Sequence, residues 1–121
     1  MRRLSVWLIG PLLLASIVVS AAPAAAGVNR VAGQYTAYAK FDKNGWTAFS
    51  LTLNRDGTGT DHFNDTILWT ITDKDLEMDF DAGLWHYSGT KTRAGFNNRR
   101  NPGIATNING GSFPWYAVKI T

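Results

Sequence analysis

Apolar and polar residues alternate along most of the chain after residue 30, and this period of two predicts β-strands. In residues 49–53, phenylalanine and leucine alternate with hydroxyl side chains, so one face of the segment is buried and the other is solvated. Residues 67–71 repeat the pattern against threonine, and residues 75–81 repeat it against carboxylates. No segment of the same length has the period of an amphipathic helix. The pattern is typical of antiparallel strands with one solvated face.

Turn-forming residues separate these segments. Asn, Asp and Gly tolerate the left-handed backbone of tight hairpins, and they fall between the alternating runs. We predict strands at 33–41, 46–54, 58–64, 66–72, 75–80, 84–92, 104–108 and 113–120. The links are short and closure removes exposed sheet edges. The sequence therefore predicts an all-β fold, a small antiparallel up-and-down β-barrel of about eight strands, with a flattened sandwich as the alternative.

The first 26 residues have the pattern of a secretory signal peptide. Arg2 and Arg3 precede an apolar run, and small residues at 24–26 offer a cleavage site before Gly27. The run is shorter than the roughly 20 apolar residues of a membrane span, and a retained anchor is the alternative. We therefore expect a secreted protein without a membrane span after cleavage, in which residues 27–121 form a single β-barrel domain.

Composition narrows the classes of function. Loss of Arg2 and Arg3 would lower the net charge from +3 to about +1, which gives little support to nucleic-acid binding. The chain has no cysteine, so disulfides, thiol catalysis and thiolate metal sites are excluded. Without disulfides, we expect a domain this small to gain its stability from buried aromatic rings.

Gly33-Gln34-Tyr35 on the first predicted strand is followed by the segments 51–60, 69–71 and 115–118. In this layout the chain resembles small secreted bacterial lipocalin-like (calycin) β-barrels, which have Gly-x-Trp where this chain has Gly33-Gln34-Tyr35. The resemblance covers nearly all of residues 27–121, although the chain is shorter than a typical lipocalin. It implies a barrel fold and a binding role, and it implies no particular ligand.

Aromatic side chains are the candidate ligand-binding residues. Trp69 shares a face with two isoleucines, so we expect it to point into the barrel, and Trp85 and Tyr87 share a face with each other. An eight-stranded barrel is either filled by side chains or holds one small ligand. The first hypothesis is a non-catalytic barrel that binds a small hydrophobic or aromatic ligand through five residues: Trp69, Trp85, Tyr87, Trp115 and Tyr35. A packed interior is the alternative for the same residues.

The segment 93–103 is predicted to be the one long loop. It is basic and rich in amides, and such loops are often functional. The second hypothesis is an extracellular interaction or inhibitor module that binds a protein or polysaccharide through five residues: Trp46, Arg93, Phe96, Arg99 and Arg100. A solvated loop kept soluble by its charge is the alternative. An unpaired strand edge would in addition permit a homo-oligomer.

No motif for catalysis is present. His62 and His86 are the only histidines, and neither lies beside an evident nucleophile or in a metal-binding pair. A small hydrolase or isomerase that uses one of them is the third hypothesis. The alternate carboxylates of residues 73–81 lie nearly 7 Å apart along a strand. We interpret them as a solvated outer face, with a divalent ion shared with a neighbouring strand as the alternative, and we expect neither a cofactor nor a metal.

Overall fold

The computed structural model describes residues 28 and 30–120. The predicted signal peptide at 1–26 lies outside the described residues. Val28, Arg30 and Val31 belong to a helical turn, which the Ala32 amide closes by donating to the Val28 carbonyl over 2.8 Å. Within the part of the chain that is described, no helix is long and apolar enough to cross a membrane.

Nine antiparallel strands follow this turn. They are β1 (Gly33–Asp42), β2 (Gly45–Leu53), β3 (Thr58–Asp61), β4 (Thr66–Thr72), β5 (Asp75–Phe80), β6 (Trp85–Thr90), β7 (Gly95–Phe96), β8 (Gly103–Asn107) and β9 (Ser112–Lys119). Sequential neighbours pair from β1 to β6, then β6 pairs with β8, β8 with β9, and β9 with β1. The sheet therefore closes on itself, which confirms the predicted up-and-down barrel of eight strand positions.

The seventh strand position is split between β7 and β8. On β9, Phe96 pairs with Ala117 and Gly103 pairs with Trp115. Residues 97–102 therefore leave the sheet opposite the single residue Tyr116. The sequence predicted a loop across 93–103, whereas the structure places the short strand β7 inside it. Two residues are too few to show an alternating pattern.

The inward faces of the strands meet in one packed core. Tyr35, Ala37 and Ala39 follow one another along β1 with exposures of 2% or less, as the period of two predicts. Small residues lie opposite the large rings, because Ala39 pairs with Trp115 and Ala105 pairs with Phe113. This pairing of small with large side chains lets the rings fill a narrow barrel at the density of a protein interior.

The two ends of the barrel differ. At the closed end, the helical turn covers the core, since Val31 is fully buried and accepts a hydrogen bond at its carbonyl from the Tyr35 hydroxyl. Lys119 Nζ also donates to the Arg30 carbonyl over 2.9 Å. The opposite end, which we call the mouth, is bordered by the turns that link β1 to β2, β3 to β4, β5 to β6 and β8 to β9.

Candidate functional site

Three of the five predicted ligand-binding residues, Trp115, Trp69 and Tyr35, are buried in the packed core. Trp115 is fully buried, and its Nε1 donates to the Ser88 carbonyl over 3.0 Å. Trp69 is 4% exposed, and its Nε1 donates to the carbonyls of Thr58 at 2.9 Å and Asn54 at 3.1 Å. The Trp69 indole therefore fastens the turn between β2 and β3. Its hydrogen-bonding group is used within the protein, as is that of Trp115.

Tyr35 likewise belongs to the packed closed end. Its ring lies 5.4 Å from that of Phe96, between centroids, and its hydroxyl donates to the Val31 carbonyl. Burial raises the pKa of Tyr35 to about 12, so its hydroxyl keeps its proton at neutral pH. This tyrosine therefore links the helical turn to the core.

Trp85 and Tyr87, the other two predicted residues, come together in the mouth. They line a cavity of about 120 Å³, which is otherwise lined by Phe41, Phe49, Asp61, Phe63, Asp65 and Phe80. The rings support one another: Trp85 lies 4.9 Å from Phe113, and Tyr87 stacks on Phe80 at 4.4 Å between centroids. Most of the wall of this cavity is thus aromatic and rigidly packed from behind.

Part of this aromatic wall is exposed to solvent. Phe41 is 46% exposed and Phe63 is 56% exposed, although both belong to the cavity lining. Phe63 reaches the mouth from the turn between β3 and β4, and its ring lies 6.2 Å from that of Phe49. A ligand that entered the mouth would therefore cover apolar surface that is now in water, which favours binding.

Two carboxylates share the cavity with the rings. Asp61 is 7% exposed, and its Oδ1 accepts hydrogen bonds from the backbone amides of Phe63 at 2.9 Å and Asp65 at 3.0 Å. On the adjacent turn, Asp81 Oδ1 accepts from the Thr66 amide over 3.2 Å. These bonds hold the turn between β3 and β4 against the turn between β5 and β6, with the Asp65 side chain between two other carboxyl groups.

The titration of Asp65 reflects this crowding. Desolvation raises the pKa of Asp65 to about 7, and hydrogen bonds with Asp61 and Asp81 and the negative charge of both raise it as well. Burial raises the pKa of the Tyr87 hydroxyl, and the negative charges of Asp61 and Asp65 raise it as well. The mouth therefore combines aromatic faces with a concentration of negative charge.

Sequence reasoning missed both carboxylates of the mouth. Gly59 and Asp61 lie on the buried face of β3, whereas Thr60 between them is exposed. A carboxylate at an inward position of an alternating strand is the signal that could have identified Asp61. Asp65 lies in a turn, where alternation says nothing about direction, so the sequence gives no comparable signal for it.

The predicted surface residues divide between four places. Arg99 lies over the Trp46 ring, with its guanidinium carbon 5.7 Å from the ring centroid. The Trp46 ring lies 5.1 Å from that of Tyr116, between centroids. Tyr116 in turn stacks on Tyr38 at 4.7 Å. The three half-exposed rings and the exposed Arg99 side chain form a cluster on the outer surface, and we call it the outer cluster.

The other members of that set lie elsewhere. Phe96 is fully buried between the rings of Tyr35 and Trp115, so the structure corrects the expectation of a surface role for it. It packs inward because β7 continues the sheet. Arg100 is exposed on the 97–102 segment. Arg93 lies at the closed end, beside a wider cavity of about 410 Å³ whose other basic residues are Arg30, Lys74 and Lys91.

The histidines lie on the outside of the barrel. His86 Nδ1 lies 2.8 Å from Asp79 Oδ1 and His86 Nε2 lies 2.6 Å from Glu77 Oε1, and these carboxylates raise the pKa of His86. His62 Nδ1 accepts from the Ser50 amide over 3.3 Å. Among the described residues, no group of three or more His, Cys, Asp or Glu side chains is arranged to hold a metal ion.

Comparison with known proteins adds no function to this geometry. The chain matches no protein-family model, no curated protein and no solved structure. The small all-antiparallel barrel fits a calycin-like fold, and that fold is what the structure supports.

Proposed function

We propose that this protein is an exported, non-catalytic binding barrel that takes a small hydrophobic or aromatic group in its mouth. The observation that carries the proposal is the cavity of about 120 Å³ lined by Trp85, Tyr87 and four phenylalanines. Specific ligand sites are concave and largely apolar, with a few polar groups that fix orientation. The mouth has both properties, and the carboxyl groups of Asp61 and Asp65 supply the polar part.

The volume of the mouth limits what it can hold. A protein cavity of roughly 150 Å³ accommodates a benzene ring. A group of about that size, aromatic or a compact branched alkyl, is therefore the largest that fits. Below the mouth the barrel is occupied by Tyr87, Met78 and Trp115, each 5% exposed or less. The bound group ends there, and any remaining part of the ligand extends outward into solvent.

The wider cavity at the closed end is a weaker candidate for this function. Its apolar lining is limited to Val31 and Ile71, and three of its basic side chains are exposed. Exposed cations of this kind are well hydrated, so an ion pair with a bound anion would contribute little free energy. The cavity also lacks aromatic residues among its described lining residues, which separates it from the mouth.

We expect Trp85→Ala to reduce binding in the mouth by about tenfold, because a half-buried indole there contributes apolar contact worth on the order of 1–2 kcal/mol. The probes are benzyl alcohol and neohexyl alcohol, and their binding is measured by saturation-transfer NMR titration of the purified protein. Leu68→Ala is the matched control, since Leu68 is 56% exposed on the outer face of β4. A folded Trp85→Ala variant with unchanged affinity for both alcohols would contradict the proposal.

The outer cluster supports a second candidate function, recognition of a polysaccharide. Tyr38, Tyr116 and Trp46 present neighbouring half-exposed rings, and Arg99 places a cation beside them. Aromatic faces give apolar contact area, and a guanidinium binds carboxylates in a planar geometry. A polymer of acidic sugars offers both kinds of partner.

For this second candidate, we expect alginate in a native gel to retard the protein, and Trp46→Ala to abolish most of the retardation. Arg99→Ala should weaken it without a large change in thermal stability, because exposed charges contribute about 0–1 kcal/mol. Arg55→Ala, an exposed cation in the turn between β2 and β3, is the charge-matched control. Equal retardation of Trp46→Ala and the unaltered protein would exclude the outer cluster as the binding surface.

A further inference from the structure

We propose that the group bound in the mouth is a small organic cation, of the substituted ammonium type, held between the aromatic rings and the carboxylates of Asp61 and Asp65. This inference rests on the proposed function and names its ligand class. The cation would place its alkyl substituents against the rings, while any attached chain leaves through the open side of the mouth.

The aromatic wall favours a positive charge. The face of an aromatic ring carries partial negative charge, and a cation within about 6 Å of a ring centroid is attracted to it. Trp85, Tyr87, Phe80 and Phe63 border the same cavity from three different parts of the chain. A substituted ammonium also has an apolar shell that water hydrates weakly, so it loses little hydration on entering such a cavity.

The carboxylates give a stronger argument, because they have no cationic partner among the described residues. The ion pairs found among the described residues join His86 to Glu77 and to Asp79, on the outside of the barrel. Neither cavity carboxylate, nor the neighbouring Asp81, takes part in one. A carboxylate that is largely removed from water without a counter-charge is costly, so a cation that enters the mouth removes this cost.

In the absence of such a cation, a proton on Asp65 neutralises part of this negative charge. The raised pKa of Asp65, about 7, means that its carboxyl group is half protonated near neutral pH. A bound cation and this proton therefore compete for the same negative charge, and each weakens the binding of the other. The groups that face Asp65 are the carboxyls of Asp61 and Asp81 and the hydroxyl of Tyr87, and His62 lies on the same turn.

The test compares choline with neohexyl alcohol, in which a quaternary carbon replaces the charged nitrogen at nearly the same shape. We expect choline to bind about tenfold more tightly at about pH 8, by NMR titration of the purified protein. If the two probes bind equally, the inference is overturned and the proposed function stands. If neither choline nor either alcohol binds, the proposed function fails together with the inference.

The pH dependence assigns the effect to Asp65. Choline stays charged at every pH, so only the protein titrates. Its affinity should rise about tenfold from about pH 6 to about pH 8, as a carboxyl with a pKa near 7 ionises. The affinity for neohexyl alcohol should not rise in this way. A choline affinity that is flat across this range would overturn the inference.

Three variants sharpen the assignment. Asp65→Asn should bring the ratio of choline to neohexyl alcohol affinity to within about threefold and remove its pH dependence. Asp75→Asn makes the same change of charge at an exposed position on β5, and it should leave the ratio unchanged. His62→Gln removes the imidazole on the same turn, and it should leave the pH profile of choline affinity unchanged. If the pH dependence of choline affinity disappears in His62→Gln and persists in Asp65→Asn, the role given to Asp65 is overturned.

Discussion

Replacing Trp115 with alanine is expected to remove about 3–5 kcal/mol from the free energy of unfolding. The indole is fully buried, its ring lies 5.4 Å from Tyr87 and 6.4 Å from Phe96, and its Nε1 donates to the Ser88 carbonyl. The variant would lose these contacts and leave a cavity that a closed barrel cannot collapse to fill. Single domains are typically stable by only about 5–15 kcal/mol, so much of the total would be lost.

Thermal and urea denaturation followed by circular dichroism measure this loss. In a domain of this size the melting temperature should fall by about 15 °C or more. Trp46→Ala is the matched control, because its half-buried indole lies on the outer surface and should cost far less. Trp115→Phe keeps an aromatic ring but removes the bond to Ser88 and part of the volume of the indole, so its cost should be smaller than that of Trp115→Ala. A Trp115→Ala variant as stable as Trp46→Ala would show that the interior is not packed as described.

Replacing Gly95 with alanine is expected to cost about 3 kcal/mol or more, through a clash rather than a cavity. An added Cβ would lie 2.2 Å from the Ala117 carbonyl oxygen and 2.9 Å from the Ala117 carbonyl carbon. Both atoms belong to the backbone of β9, so no side-chain rotation relieves the contact. The variant must separate β7 from β9, which also displaces the buried ring of Phe96.

Gly111→Ala is the appropriate control for this substitution. The three heavy atoms nearest to its added Cβ all belong to the Asn107 side chain, the closest at 3.2 Å, and the turn at 108–111 is exposed. We expect it to lower the free energy of unfolding by less than about 1 kcal/mol. Amide hydrogen exchange locates the damage in Gly95→Ala, which should lose protection first at Lys119, whose amide donates to the Ala94 carbonyl over 2.8 Å. Equal stability of the two variants would contradict the close approach of β7 to β9.

The strands could be predicted from the sequence because each has one buried and one solvated face. The alternation in 75–81 places Leu76, Met78 and Phe80 inside, where the structure has them. Alternation indicates the direction of a side chain and not whether the space it enters is empty. Trp69 and Trp85 both point inward, yet one fastens a turn with its Nε1 and the other borders a cavity.

The candidate site was less predictable for a different reason. Its rings come from strands that the alternation identifies, such as Phe49 and Phe80, but its carboxylates depend on the path of one turn. Asp65 receives its environment from Asp61 and Asp81, which are four and sixteen positions away along the chain. The pairing of β4 with β5 brings the two turns together, since the Asp81 amide donates to the Thr66 carbonyl just beyond the Ile67–Phe80 pair. The alternation of apolar and polar residues does not give that register.

The split in the seventh strand position has a consequence for how this chain can change in length. Residues 97–102 leave the sheet at Phe96 and return at Gly103, and both flanking strands remain paired with β9. The loop-closure entropy of a longer excursion grows slowly, by about 0.6 kcal/mol for each doubling. Insertions at this point would therefore alter the outer surface beside Trp46 while the barrel and its mouth keep their geometry. New sequence can be tried there at little cost to folding.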